Sequence, residues 1–279
     1  KLEHTIATYH QMRKRGRRVV IGGDYGFTVT TADGRSIAAG WLIGADGANS
    51  LVRRRLTRAF SRADLSVATG FFAHGVTSDE VVIEIVEDPS GYIWSFPRPD
   101  HLAIGICAQA DRPETAASLR QRVERWIQRA GIARGARLQQ YSWPIPSLGA
   151  ASLESLEVAG DRWLTLGDAA GLVDPITREG IYFALQSAAF AADAIAGAAD
   201  TAREYTERVR DGILAEAGDG PDRPESLMRL RQLFPLIVNH IAKRDFAPHL
   251  VLVCVGLVPV VQEAKQPRRN LDGCFALVV

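Results

Sequence analysis

The chain has little of what marks metal, disulfide or membrane proteins. Its three cysteines, Cys107, Cys254 and Cys274, are scattered and odd in number. No CxxC occurs, which argues against a disulfide framework or a zinc site and fits a reducing compartment. Six histidines are equally dispersed, with no HExxH pair, so no metal site is expected. A net charge of +1 supplies no basic field for nucleic acid, and no nucleic-acid partner is expected. No window reaches the roughly 20 apolar residues of a membrane span. The nearest, Leu250 to Val261, is short and holds Gly256 and Pro259. It reads as a buried helix or strand, with a patch that dips into a membrane surface as the sharper alternative. No secretory signal follows Lys1. The expected location is cytoplasmic, with peripheral contact at the inner membrane face as the extension of that alternative.

What is present is an ordinary globular composition. Of 279 residues, 47% are hydrophobic and 23% charged, enough for one large domain or two modest ones. Residues 2–15 read as a helix with a basic end at Arg13 to Arg18. Val19 to Ile21 reads as a short strand. Tyr25 to Thr31 alternates into Ala32-Asp33-Gly34, a hairpin turn. Trp41 to Gly44 reads as a buried strand, and Ser50 as the N-cap of a helix from Leu51. Residues 66–75, 81–87, 91–97 and 101–108 read as successive strands of an antiparallel sheet. Residues 114–130 read as an amphipathic helix, Leu138 to Ile145 and Trp163 to Leu166 as strands. Glu179 to Ala198 reads as a helix, apolar nearly all round and so buried between layers. Residues 201–217 form a polar helix, 225–265 mixed apolar helices, and Gln266 to Val279 an irregular tail.

Three motifs carry chemistry. The first is Gly44-Ala45-Asp46-Gly47-Ala48-Asn49-Ser50-Leu51-Val52-Arg53. Gly47 suits a sharp turn at a strand end, and Asp46 and Arg53 should lie near one another. The second runs Gly167-Asp168-Ala169-Ala170-Gly171 and on through Pro175 to Glu179-Gly180-Ile181. It sets one carboxylate and bare backbone at the carboxyl end of a strand, where open α/β sheets take ligands. The helix that follows turns its N-terminal N–H groups toward anionic ligand groups. The third is Tyr92-Ile93-Trp94-Ser95-Phe96-Pro97-Arg98, followed by Gly105. Tyr92, Trp94 and Phe96 share one strand face, either as an aromatic core or as a pocket wall, with Trp143 as a further wall. The basic runs Arg13 to Arg18 and Arg53 to Arg55 read as solvated faces, with an anionic-headgroup role as the lesser alternative.

The first two motifs resemble the GADGxxSxVR and Gly-Asp-Ala-Ala-Gly patterns of FAD-dependent oxidoreductases with the aromatic-hydroxylase fold. The third resembles the YxWxFPK…G pattern of the geranylgeranyl reductase family, with Arg98 in place of the usual Lys and Cys107 in place of a second Gly. The resemblance runs from about residue 15 to about residue 215. It implies an α/β (α+β) fold: an incomplete Rossmann-like FAD-binding domain over 1–62 and 153–200, an inserted antiparallel β-sheet substrate domain over 63–152, and a C-terminal helical region over 201–279. It implies FAD, held by Asp46, Gly47, Arg53, Gly167, Asp168, Ala169, Gly171, Pro175, Glu179, Gly180 and Ile181. Asp168 would take ribityl hydroxyls, and the N–H groups near Ala169 and Gly171 would face the pyrophosphate. Tyr92, Trp94, Phe96 and Trp143 would line the substrate pocket, with Tyr92 a weak candidate for proton delivery.

Such proteins begin with a βαβ unit of roughly 30 residues carrying GxGxxG, which this sequence lacks. The expectation is a fragment of a longer chain, with weak FAD binding and poor stability on its own. The activity implied is reduction of C=C bonds in a prenyl chain, with hydride from reduced flavin, a proton to the second carbon and NAD(P)H as donor. The partner is a prenyl-chain lipid or another apolar small molecule. A monooxygenase of the aromatic-hydroxylase type is the alternative, and a non-catalytic remnant or lipid-binding module the third. Prenyl substrate and oligomeric state are not written in these motifs.

Overall fold

A computed structural model describes residues 17–21, 27–31, 36–174, 177–214 and 276–278. The expected helix over 2–15, Pro175, the helices over 225–265 and the apolar stretch 250–261 lie outside the described residues. Strands β1 (Arg17–Ile21), β2 (Phe27–Thr31) and β3 (Ser36–Ala39) form an antiparallel sheet in chain order. A second sheet takes the order β10-β11-β4-β12, from β4 (Leu42–Gly44), β10 (Ala159–Gly160), β11 (Trp163–Thr165) and β12 (Ala276–Val278). The tail is thus not irregular throughout: β12 lies parallel to β4, with Leu277 opposite Ile43.

The third sheet is antiparallel, in the order β6-β7-β8-β5-β9. Its strands are β5 (Leu65–His74), β6 (Val82–Glu87), β7 (Ser90–Pro97), β8 (His101–Gln109) and β9 (Arg137–Pro146). One face packs on the helix Ala116–Ala130. Phe71, Ile93, Ile104 and Ile106 meet its Leu119, Val123, Trp126 and Ile127 in one core. That helix starts at a Thr115–Ser118 capping box and stops at Gly131, which is left-handed at φ 67°, a conformation glycine adopts without steric penalty. The Trp126 indole N–H donates to Glu84 at 2.9 Å. Period-2 alternation sets the opposite residues of these strands on the other face.

Short helices complete the parallel layer. Here α1 is Leu51–Leu56, α2 the Ala116–Ala130 helix, α3 Ala150–Glu154, α4 the single turn Gly167–Ala170, α5 Ile181–Gly197 and α6 Thr201–Val209. Helix α5 is not buried all round. Its buried positions, Phe183, Ser187, Ala191 and Ala194, recur at helical spacing and form one stripe. Ile181 and Tyr182 are exposed. A sequence rich in alanine is apolar on every side, yet only the stripe facing the sheet is covered among the described residues.

The segment beyond residue 200 shares the first core: Tyr205, Val209 and Ile213 pack with Leu164, Leu166 and Phe183. The Tyr205 hydroxyl donates to the Thr165 carbonyl at 2.7 Å, tying α6 to the strand that leads into the second motif. Tyr205→Phe removes this bond and leaves a buried acceptor short of a donor. The expected loss is about 1–2 kcal/mol of stability, read from urea unfolding midpoints at constant m-value.

Candidate flavin and substrate site

The site begins with a parallel pairing. Trp163, Leu164 and Thr165 of β11 lie opposite Leu42, Ile43 and Gly44 of β4, and the Leu166 N–H continues the ladder to the Gly44 carbonyl at 2.8 Å. Both strands therefore end on the same sheet edge, and the two glycine-aspartate motifs leave it side by side. Gly44 is required there, because a Cβ on it would sit 2.7 Å from the Val52 Cβ of α1.

Asp46 folds back over the start of α1, where one carboxylate oxygen accepts the Leu51 N–H at 2.6 Å. Its other oxygen is buried and has no hydrogen-bond partner among the described residues. Gly47 turns the chain at φ 74°, and Ser50 caps the helix, its Oγ accepting the Arg53 N–H at 2.9 Å. Arg53 does not meet Asp46. Its guanidinium donates to the Glu157 carbonyl at 2.9 Å and lies 4.3 Å over the Phe60 ring. Burial, with Arg58 adding to it, lowers its pKa to about 10. Arg53 thus fastens α1 to the 157 region, and its expected closeness to Asp46 is corrected by the pull of that carbonyl and ring.

The second motif continues β11 into the α4 turn. Gly167 and Gly171 are both left-handed, at φ 50° and 83°. A Cβ on Gly167 would lie 2.8 Å from that of Ala184, so the turn sits directly on α5. The Ala169 and Gly171 N–H groups donate to the Leu166 and Asp168 carbonyls, both at 3.1 Å. They shape the turn and are not the free anion donors expected of them, because a four-residue helical turn closes on its own carbonyls. The Asp168 carboxylate accepts no hydrogen bond among the described residues. Burial, reinforced by Glu179, raises its pKa to about 6. Gly180 lies against it: a Cβ there would come within 2.9 Å of an Asp168 carboxylate oxygen. Glu179 accepts the Tyr182 N–H at 2.9 Å, so it caps the first turn of α5, which begins at Ile181 with no side-chain cap from Gly180.

The free face of the antiparallel sheet meets this motif. The buried Tyr92 hydroxyl donates to the Thr177 carbonyl, and Arg178 donates to the Ser147 hydroxyl. Arg178 also counteracts the rise that burial imposes on the Cys107 thiol, so that thiol lies beside the same loop. Asp174 accepts the Thr177 N–H at 2.6 Å and its hydroxyl at 2.9 Å, closing the loop on itself.

Register arranges the face in rows across four strands. Trp94 lies opposite Gly105, Gly105 opposite Gly70, and Gly70 opposite Tyr141. Two bulky aromatics thus flank two glycines. A Cβ on Gly105 would strike the Tyr141 hydroxyl at 2.2 Å and Trp94 at 2.6 Å, so both side chains lean over the glycine. The next row is Phe96, Ala103, Phe72 and Gln139. Phe72 stacks on Tyr141 at 4.7 Å, and Trp94 on Phe96 at 6.0 Å. On the side toward the Thr177 loop, Cys107, Ala68 and Trp143 align, with Tyr92 beside them. The expected wall of Tyr92, Trp94, Phe96 and Trp143 is thus one face, with the glycine pair Gly70 and Gly105 between its strands. Tyr141 escaped the motif reading, although its i, i+2 spacing to Trp143 places it on that face. Burial holds its hydroxyl well above the usual tyrosine range.

These two halves define a flavoprotein-type fold, and solved structures share it. A geranylgeranyl bacteriochlorophyll reductase-like protein of Thermoplasma acidophilum superposes with a TM-score of 0.52 at 18% identity, over 81% of this chain and 57% of its own. A Diels-Alderase of pyrroindomycin biosynthesis gives 0.53 at 18% identity, over 87% and 56%. Residues 25–206 match the FAD binding domain family, and the chain belongs to it. Among curated relatives, a digeranylgeranylglycerophospholipid reductase of Methanothrix thermoacetophila is 31% identical over 70% of this chain and 52% of its own length. A menaquinone reductase of Mycolicibacterium smegmatis is 30% identical over 59% and 43%. The chain spans about half the length of these relatives. It is thus an FAD binding domain family member, similar in sequence to geranylgeranyl-type reductases over this span. Among the described residues, no cluster of metal-ligating side chains occurs and no helix is long and apolar enough to cross a membrane.

The residues present fit FAD. Among the described residues a buried Asp46 oxygen and the Asp168 carboxylate both lack donors, which a polyol would supply, and Gly180 carries no side chain against Asp168. In the ligand-free protein the raised Asp168 pKa works against folding. The ionised carboxylate is the disfavoured form, so stability is fullest below its unfolded value of 3.8 and falls as pH rises to about 6. Asp168→Asn is expected to flatten that fall and to gain up to about 3 kcal/mol at pH 8, with no gain at pH 3. Thermal unfolding across this pH range, without flavin, checks it.

Proposed function

We propose that the protein reduces C=C bonds of a prenyl chain at a flavin held between the two glycine-aspartate motifs. One observation carries the reading: the row Trp94-Gly105-Gly70-Tyr141, joined to the second motif through the Tyr92 to Thr177 hydrogen bond. Paired glycines bordered by aromatic side chains suit a flat or thin apolar molecule. When bound, FAD supplies the hydride, and NAD(P)H is the proposed electron source. Asp46 and Asp168 hold the hydroxyl-bearing part of the cofactor. Gly180 and the exposed Ile181 and Tyr182 at the start of α5 give it a flat, apolar contact. The substrate faces Trp94, Phe96, Tyr141 and Trp143.

Tyr92 positions the sheet and does not deliver a proton. Its hydroxyl hydrogen is directed at the Thr177 carbonyl, and burial drives its pKa upward. Tyr141 instead puts a hydroxyl at the middle of the face. The names of the relatives, a digeranylgeranylglycerophospholipid reductase and a menaquinone reductase, agree with a prenyl-bearing substrate.

Two measurements test the reading. Asp168→Ala should weaken FAD binding about 10- to 100-fold, the loss of charge-assisted hydrogen bonds worth roughly 1.5–3 kcal/mol. Incubation with FAD, NADPH and a geranylgeranyl lipid should raise the product mass by two hydrogens per double bond, without O₂. A product that gains an oxygen atom and requires O₂ overturns the reductase in favour of a hydroxylase.

A further inference from the structure

The face of the antiparallel sheet turned away from the aromatic rows carries a cleft of its own. It opens between α2 and the β6–β7 hairpin and measures about 200 Å³. Arg122, Arg125, Trp126 and Arg129 line it. They recur at i, i+3, i+4 and i+7, so one stripe of α2 makes one wall. Trp126, Val86 and Ile93 are buried and give an apolar floor. Glu84 is the one carboxylate among the lining residues, and both its oxygens are engaged. One accepts the Trp126 indole N–H at 2.9 Å, the other Arg129 at 2.6 Å. The Trp126 bond, with the charges of Arg129 and Arg122 adding to it, holds the Glu84 pKa below the ordinary value. The side chains of Arg122 and Arg125 form no hydrogen bond or ion pair among the described residues. Like charges at these spacings weaken a helix. Glu124, the single acidic residue of α2, stands three or four positions from none of the three arginines. The stripe is therefore uncompensated within its own helix.

We infer that this cleft binds a small organic phosphate monoester, with Arg122 and Arg125 on the phosphate and the apolar floor under the organic part. Two guanidinium forks suit a tetrahedral dianion, whose oxygens accept from both, and their charge persists at every working pH. Glu84 holds Arg129 and Trp126 in place, so part of the wall is set before binding. At about 200 Å³ the cleft is smaller than the roughly 300–1,000 Å³ pockets of drug-sized ligands, which excludes a whole dinucleotide. Ile93 of the floor lies on β7 between Tyr92 and Trp94, whose side chains point to the opposite face. The cleft and the aromatic face thus share a strand and not a surface, and the inference is independent of the flavin and prenyl readings.

Isothermal titration of the full chain tests it with three probes: phenyl phosphate, inorganic phosphate and benzoate. Phenyl phosphate should bind saturably, one per chain, and at least tenfold more tightly than either of the others. The Arg122→Gln/Arg125→Gln variant should weaken it at least tenfold, and Arg122→Lys/Arg125→Lys should keep part of the affinity. Arg203→Gln/Arg210→Gln removes the same charge from exposed positions and should bind like the parent chain. No saturable binding of phenyl phosphate, full affinity in the Arg122/Arg125 glutamine pair, or an equal loss in the Arg203/Arg210 pair overturns the site. Inorganic phosphate binding as tightly as the ester shows that the apolar floor takes no part. Benzoate binding as tightly shows that the phosphate is not what is recognised. Either result overturns the assignment, and neither comparison needs a variant that folds.

Discussion

The parallel pairing of Leu42–Gly44 with Trp163–Thr165 is the constraint on which the site depends. Parallel strands cannot be joined by a tight turn, so the connection between them is free to hold a whole sheet and its covering helix. The pairing brings two glycine-aspartate turns to one edge, although the antiparallel sheet separates them in sequence. Slipping β11 by a single residue would turn Leu164 out of the core. Leu164 and Leu42 are fully buried, which makes that slip costly. The register therefore follows from hydrophobic burial, and the alignment of Asp46 and Asp168 follows from the register.

A second link couples this edge to the antiparallel sheet. Tyr92 reaches the Thr177 carbonyl, and Arg178 reaches Ser147 at the end of β9. Both bonds bridge the loop after the second motif and the sheet face. In a low-dielectric setting such bonds are strong and hard to leave unmade. They hold the row of small residues beside the place where the carboxylates await donors. The edge carrying the two glycine-aspartate turns and the aromatic sheet face are thus positioned by the same loop. The cost is local, in left-handed backbone at Arg178 and, among the described residues, in one Asp46 oxygen and an Asp168 carboxylate without donors. Such violations of polar satisfaction are expected where a ligand completes the structure.

Much of this was legible in the sequence, for definable reasons. The strands of the antiparallel sheet and the helix over its outer face follow from alternation, turn residues and capping, all local properties. Asp46 and Asp168 stand out because the stretches Gly44 to Arg53 and Gly167 to Gly171 resemble flavoprotein motifs, whereas a single Asp-Gly turn carries no such signal. Arg53 was misjudged because a motif gives its sequence position and not the direction of a long side chain. Only the Glu157 carbonyl and the Phe60 ring, distant in sequence, decide that. Helix α5 was misjudged because alanine hides which side is covered. Tyr141 and Gly70 went unnoticed for a third reason. Their meaning lies in cross-strand register, which joins β9, β5, β8 and β7 and is not a property of any one segment.

That register also gives the face its polarity. Along β5 and β8 the inward residues change from Ala68 and Cys107, through Gly70 and Gly105, to Phe72 and Ala103, then to His74 and His101. Size falls to the facing glycines and rises again beyond them, and the last pair is polar. A core packed only for stability has no reason to carry two facing glycines, since each leaves contacts unmade that a larger residue would supply. Here the space is taken by Trp94 and Tyr141 leaning over it. The sheet thus keeps its stability on the face covered by the Ala116–Ala130 helix, where Phe71, Ile93, Ile104 and Ile106 are packed. Its other face carries the aromatic rows, packed ring on ring. A single small antiparallel sheet is thus divided into a face packed for stability under a helix and a face whose aromatic side chains lean over a glycine pair.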